Sequence, residues 1–105
     1  DPRALARFWC AAMDATPHEV TDDRALLRCT KGVGPYVEFL RTPHLRQGWH
    51  RAHLDLVADP VDAQAAEVAR LEALGATHAD VGQGDVPWEV LADPEGNQFC
   101  VLGPA

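Results

Sequence analysis

The sequence predicts an α+β fold in which one helix-then-strands unit occurs twice, and three observations carry that reading. The segment Ala15-Thr16-Pro17-His18-Glu19-Val20 returns as Ala76-Thr77-His78-Ala79-Asp80-Val81. Gly34, Glu38 and Leu40 return at a constant offset of 62 as Gly96, Cys100 and Leu102. Each copy has an Asp-Pro before a helix-like stretch (Asp1-Pro2, then Asp59-Pro60) and ends in short apolar runs. Two copies are too few for a solenoid array. They predict one domain over 1–105, with a first module at 1–42 and a second at 50–105, whose half-sheets face each other across a pseudo-twofold axis.

The elements follow in order. Asp1 suits an N-cap and Pro2 the first helical position. Leu5, Phe8, Trp9, Ala12 and Met13 recur at helical spacing, so a helix is predicted from Pro2 to Met13 with Phe8 and Trp9 in the core. Pro17 closes its exit loop. Strands are predicted at His18 to Thr21, Ala25 to Thr30 and Pro35 to Arg41, with a turn at Gly32–Gly34. In the third strand Tyr36, Glu38 and Leu40 face away from Val37 and Phe39. Thr42 to Gly48 reads as a linker. His50 to Ala58 is then a strand, with His53, Asp55 and Val57 on one face and Leu54, Leu56 and Ala58 on the other. A second helix starts at Asp59-Pro60, buries Ala65, Val68, Ala69, Leu71 and Leu74, and ends at Gly75. The last strands are Thr77 to Val81, Pro87 to Ala92 and Gln98 to Leu102, with a hairpin turn at Asp93-Pro94-Glu95-Gly96-Asn97. The order is α-β-β-β, then β-α-β-β-β. By symmetry a strand of about six to ten residues is expected ahead of Asp1.

Composition narrows the function classes. The apolar fraction of 47% is that of a globular chain. A net charge of -7, from 16 acidic and 9 basic residues, opposes nucleic-acid backbones and anionic membrane surfaces. No apolar run reaches the roughly 18 residues of a membrane span. Cys10, Cys29 and Cys100 are an odd number without finger spacing, which suits reduced thiols and a cytoplasmic location. Serine is absent, which removes serine nucleophiles. Gly32-Val33-Gly34 precedes a strand instead of a helix and is no dinucleotide fingerprint.

Glu38, His53 and Cys100 each sit opposite the large apolar residues of their own strand. A carboxylate, an imidazole and a thiolate on one concave surface can hold zinc tetrahedrally with one position open. A pocket lined without metal is the competing reading: His53 as a hydrogen-bonded pocket residue with Asp55 too far along the strand to be its obligatory partner, Glu38 binding a polar ligand group or paired with Arg28 or Arg51, Cys100 as a small hydrophobe. Tyr36 and Trp88 are candidate aromatic walls for a small molecule, whereas Trp49 reads as packing. His18, His44 and His78 lie near loops and read as solvated. His50 and His53 point to opposite faces of their strand.

The second copy resembles the glyoxalase/bleomycin-resistance/extradiol-dioxygenase superfamily, the vicinal oxygen chelate fold, and is most similar to its glyoxalase-like branch. The residues that carry the resemblance are His53-Leu54-Asp55-Leu56, Asp59-Pro60, Leu71-Glu72-Ala73-Leu74-Gly75-Ala76 and Asp93-Pro94-Glu95-Gly96-Asn97-Gln98-Phe99-Cys100-Val101-Leu102. The resemblance implies two βαβββ modules forming a cup of mixed sheet with helices outside, the first strand of the first module being absent from this chain. It implies metal ligands at Glu38, His53 and Cys100, with Glu38 also able to move a proton. It implies one divalent ion (Zn, Fe, Mn or Ni) or none, and a lyase, isomerase, dioxygenase or sequestering protein for a small molecule, commonly a homodimer. Cys100 departs from the His and Glu ligands of that pattern and is a softer donor, which favours zinc or copper.

Overall fold

The computed structural model describes residues 1–29, 36–43 and 52–104, and of Cys29 only the backbone. The Gly32–Gly34 turn, His44, Trp49, His50, Arg51 and most of the Thr42–Gly48 linker lie outside the described residues. Mixed α and β structure is present, with two α-helices and two sheets among the described residues. The chain divides into two compact units, Asp1–Leu45 and Arg46–Ala105.

The first unit opens with α1 (Pro2–Met13). The Asp1 carboxylate accepts from the Ala4 N–H at 3.1 Å, satisfying one of the orphan donors of the first turn. The helix stops at Asp14, which takes a left-handed conformation (φ 53°) that Asp tolerates better than most residues. Three antiparallel strands follow in the order β1-β2-β3: β1 (Ala15–Val20), β2 (Arg24–Cys29) and β3 (Val37–Leu40). Strand β1 starts three residues earlier than predicted and contains Pro17. Its place at the sheet edge allows this, because an edge strand tolerates a missing N–H. The register shifts between Pro17 and Glu19, leaving His18 as the extra residue of a bulge. Leu5, Phe8, Trp9, Ala25 and Leu27 are buried where α1 covers the sheet. The Phe8 and Trp9 rings meet edge-on at 5.1 Å.

The second unit contains β4 (Asp55–Val57), a 3-10 turn (Val61–Ala63), α2 (Gln64–Ala73), β5 (Thr77–His78), β6 (Glu89–Ala92) and β7 (Gln98–Leu102). The sheet order is β4-β7-β6-β5, with β4 parallel to β7 and the other pairs antiparallel. The predicted strand from His50 to Ala58 contracts to three residues. Among the described residues its sheet neighbour is β7, and the pairing runs from Asp55 beside Cys100 to Val57 beside Leu102, where β7 ends.

The Asp59-Pro60 start of the second helix is also corrected. Pro60 is extended, its carbonyl accepts from the Ala63 N–H at 3.0 Å, and no side chain caps the 3-10 turn. The α-helix begins at Gln64. Its buried stripe is narrower than predicted, Val68 and Leu71 only, with Ala65, Ala69 and Leu74 exposed. Gln64 supplies what periodicity misses: its side-chain amide donates to the Pro87 and Val101 carbonyls, both at 3.0 Å. Gly75 ends the helix as predicted, with a φ of 119° open to glycine. Leu71, Leu91, Phe99 and Val101 form the centre of this core, at 1% exposure or less.

The hairpin turn at Asp93 is built around one carboxylate. Asp93 Oδ1 accepts from the backbone N–H groups of Glu95 and Asn97 at 2.9 Å each, and the Asn97 amide reaches both carboxylate oxygens. This turn sets the antiparallel register of β6 and β7, pairing Val90 with Cys100.

Candidate functional site

Register decides which side chains share the open face of the second sheet. Directly paired residues point to the same side, so Asp55, Cys100 and Val90 form one row across β4, β7 and β6. Two residues along β7 lies Leu102, and two residues back from Val90 lies Trp88. The opposite face, with Leu56, Phe99 and Val101, packs under α2. The open face holds a cavity of about 310 Å³ lined by His53, Asp55, Trp88, Cys100 and Leu102.

Three unlike donors meet there. One ligand atom each from His53, Asp55 and Cys100 lie within 4.8 Å of one another. His53 Nε2 stands 3.1 Å from Asp55 Oδ1, so Asp55 is a direct partner of His53. Sequence reasoning treated Asp55 as too far along the strand. It erred because the regular strand begins only at Asp55, and the irregular lead-in lets the His53 ring turn back. The Cys100 thiol is 4% exposed. Burial pushes its pKa above the ordinary 9.0, and the charge and hydrogen bond of the Asp55 carboxylate add to that effect. The thiol therefore contacts a carboxylate that opposes thiolate formation, which is the wrong environment for a cysteine nucleophile. A cation placed among the three would reverse that logic, since it stabilises both anionic donors.

The donor chemistry fits a divalent metal: one imidazole nitrogen, one carboxylate and one sulfur, at the wall of a cavity with room for a further ligand. Trp88, 39% exposed, supplies an aromatic wall. Gln98 lies on the same face of β7 as Cys100, and its side-chain oxygen is buried with no hydrogen-bond donor among the described residues.

Glu38 and Tyr36 belong to the first unit. Glu38 faces out from β3 and its carboxylate accepts from Arg24 Nε, while Arg24 Nη1 reaches Glu19 at 3.4 Å. The competing reading offered Arg28 or Arg51 as a partner for Glu38, and Arg51 lies outside the described residues. The pairing of Leu26 with Glu38 instead brings Arg24, two residues along β2, to it. Arg28 lies 5.7 Å from the centre of the Tyr36 ring, and His18 is 5.3 Å from Tyr36 between ring centres. His18 and His78 are exposed, as expected, and His78 lies 3.5 Å from Glu72 and 3.8 Å from Glu89. A larger hollow of about 350 Å³ lies between α1 and β1, lined by Arg3, Ala6, Arg7, Cys10, Pro17 and Val20. Among the described residues it gathers no cluster of metal donors, and Arg3 pairs with Asp22 at 2.7 Å, so the smaller cavity is the stronger chemical candidate.

A family model described as glyoxalase-like domain matches residues 1–102. The chain belongs to this glyoxalase-like family. Solved structures agree on the fold of this glyoxalase-like domain. A glyoxalase/bleomycin resistance protein/dioxygenase family enzyme from Burkholderia phytofirmans PsJN is 16% identical with a TM-score of 0.67, covering 96% of this chain and 88% of its own. The fosfomycin resistance protein FosX from Mesorhizobium loti is 13% identical with a TM-score of 0.69, covering 100% and 84%. A variant of FosX from Listeria monocytogenes, complexed with Mn(II) and a dihydroxypropylphosphonic acid, is 14% identical with a TM-score of 0.65, covering 100% and 82%. At such identities the likeness establishes the fold alone. No curated protein matches the chain.

Proposed function

We propose that this glyoxalase-like domain binds and acts on a small organic molecule in the cavity of its second unit, with a divalent metal held by His53, Asp55 and Cys100. The observation that carries the reading is the meeting of three unlike donor atoms within 4.8 Å on a cavity wall shared with Trp88 and Leu102. Such a wall suits a ligand with one flat or apolar part and one oxygen-rich part. The FosX neighbour, which carries Mn(II) beside an oxygen-rich phosphonic acid, supports that ligand class.

When bound, the ion would supply Lewis acidity toward a ligand oxygen. The residues do the rest. Trp88 and Leu102 cover the apolar part of the ligand and exclude water. Val90, paired with Cys100 across the sheet, is buried beside it at 1% exposure. Proton transfer falls to Asp55 and His53, which touch each other at the cavity wall. Glu38, to which the resemblance gave that role, is engaged by Arg24.

A second reading is a metal-free binder. It is favoured by the way Asp55 already serves both the imidazole and the thiol, so that protons alone satisfy the cluster. Elemental analysis of protein purified without chelator separates the two, combined with tryptophan fluorescence against a panel of small aromatic acids and phosphonates. Metal near one equivalent, lost in His53→Ala, and quenching lost in Trp88→Phe are expected. Absence of metal with intact quenching supports the binder. If no compound alters Trp88 emission at millimolar concentration, the small-molecule site is refuted.

A further inference from the structure

We propose that the hollow between α1 and β1 is a second binding site, for a medium-chain aliphatic carboxylate whose head meets Arg7 and whose chain lies along Ala6, Pro17 and Val20. The inference goes beyond the reading above and does not depend on it, because every residue it uses lies in the first unit.

Register builds the hollow. Arg3, Ala6, Arg7 and Cys10 follow at i, i+3, i+4 and i+7, so they form one stripe of α1 beside the core stripe of Leu5, Phe8, Trp9 and Ala12. Pro17 and Val20 stand across from them on β1. Residues three apart on a regular strand point to opposite faces. Here the bulge at His18 absorbs one residue, so that Pro17 pairs with Leu27 and Val20 with Ala25. Leu27 and Ala25 are buried where α1 covers the sheet, and directly paired residues share a side. Both β1 side chains therefore face the helix. Ala6 and Pro17 are short, and the space they leave is about 350 Å³. Small-molecule sites span about 300 to 1,000 Å³, so the hollow suits a medium chain and not a long one.

Lining and charge then set the ligand class. The walls are the Ala6 methyl, the Pro17 ring, the Val20 methyls and the Cys10 thiol, with no aromatic ring to stack on, which suits an alkyl chain. Among the described arginines, Arg3, Arg24, Arg41 and Arg70 each pair with a carboxylate, and Arg28 lies over the Tyr36 ring. Arg7 has no such partner among the described residues, although the chain holds 16 acidic residues against 9 basic ones. Asp22 would repel an anion near the rim, but Arg3 neutralises it at 2.7 Å. Arg7 is thus the uncompensated charge of the rim, and its planar fork matches a carboxylate. Cys10 contributes shape and no covalent bond, since burial pushes its pKa above the ordinary 9.0 and keeps it a thiol.

The test uses the full chain with octanoate as probe and Cys10 as reporter. Octanoate should slow alkylation of Cys10 by N-ethylmaleimide, mapped by peptide mass spectrometry at a pH where both thiols react, and leave the rate at Cys100 unchanged. Calorimetry should give one site, with affinity rising about fourfold per methylene from hexanoate to octanoate as more chain is buried. Arg7→Gln, a change at an exposed position that spares the fold, should weaken octanoate about tenfold or more. Octylamine, the same chain with a cationic head, should not protect Cys10. Trp88→Phe should leave octanoate binding unchanged, which separates this site from the cavity of the second unit. Equal protection by octylamine, undiminished affinity in Arg7→Gln, octanoate binding lost in Trp88→Phe, or no protection of Cys10 at millimolar octanoate would each overturn the inference and leave the reading of the second unit standing.

Discussion

Replacing Asp93 by Ala should cost this protein much of its stability, and the cost can be worked from the turn. The Asp93 side chain is 3% exposed with its carboxylate. Oδ1 accepts from the Glu95 and Asn97 backbone N–H groups at 2.9 Å each. A hydrogen bond to a charged group contributes about 1.5 to 3 kcal/mol, and Ala leaves both backbone donors without that acceptor. The two bonds together give roughly 3 kcal/mol at the lower bound. For a domain of this length each kcal/mol moves the melting temperature by about 4 to 8 °C. Asp93→Ala should therefore lower it by about 12 °C or more. Asp93→Asn keeps a neutral acceptor and should lose about half as much. Differential scanning calorimetry with urea titration measures both. A change below about 0.5 kcal/mol for Asp93→Ala, typical of an indifferent surface site, would refute the claim that this carboxylate organises the turn. Because the turn sets the pairing of Val90 with Cys100, the same variant should bind metal and ligand more weakly at temperatures where it is still folded.

Two further predictions concern titration. The hydrogen bond and charge of Arg3, with a smaller contribution from Arg41, hold the Asp22 carboxyl below its ordinary 3.8. A depressed carboxylate contributes stability that is complete above 3.8 and is lost as pH falls through the lowered folded value. The melting temperature should thus fall more gently on acidification in Arg3→Gln than in the native protein, by a small margin because both partners are exposed. Alkylation of metal-free protein, mapped by peptide mass spectrometry, should show Cys100 reacting only at high pH. Asp55→Asn should move that profile part of the way to lower pH, since burial, the larger cause, remains. An unmoved profile would remove Asp55 from the neighbourhood of the thiol.

How far the sequence revealed the structure depended on whether a signal was local. The Asp1-Pro2 helix start and the apolar spacing of Leu5, Phe8 and Trp9 are local, and α1 runs over Pro2–Met13 as predicted. The last strand, Gln98–Leu102, was equally legible, because Asp93 to Asn97 marks its turn. Asp59-Pro60 misled because the same dipeptide supports an extended entry as readily as a cap. The contraction of β4 followed where its neighbour β7 ends, a pairing fact that periodicity does not carry. At the site, alternation put Cys100 on the right face and singled out His53. It missed Asp55 as partner because alternation assumes a regular strand through His53. Gln64 was invisible for a different reason: a polar residue at the start of a helix gives no apolar signal, yet its amide donates to the Val101 carbonyl in β7 and to the Pro87 carbonyl just ahead of β6.

That last contact has a consequence for how the cavity could change over time. Gln64 lies on α2, and it grips the carbonyl of Pro87, next to Trp88, and that of Val101, next to Cys100. Close behind, a Cβ on Gly103 would come within 2.6 Å of the Gln64 side-chain oxygen, so the joint tolerates little bulk. Substitutions at Gln64 or Gly103 would tilt the indole and the sulfur from behind the sheet, altering ligand preference while every residue that meets the ligand stayed the same.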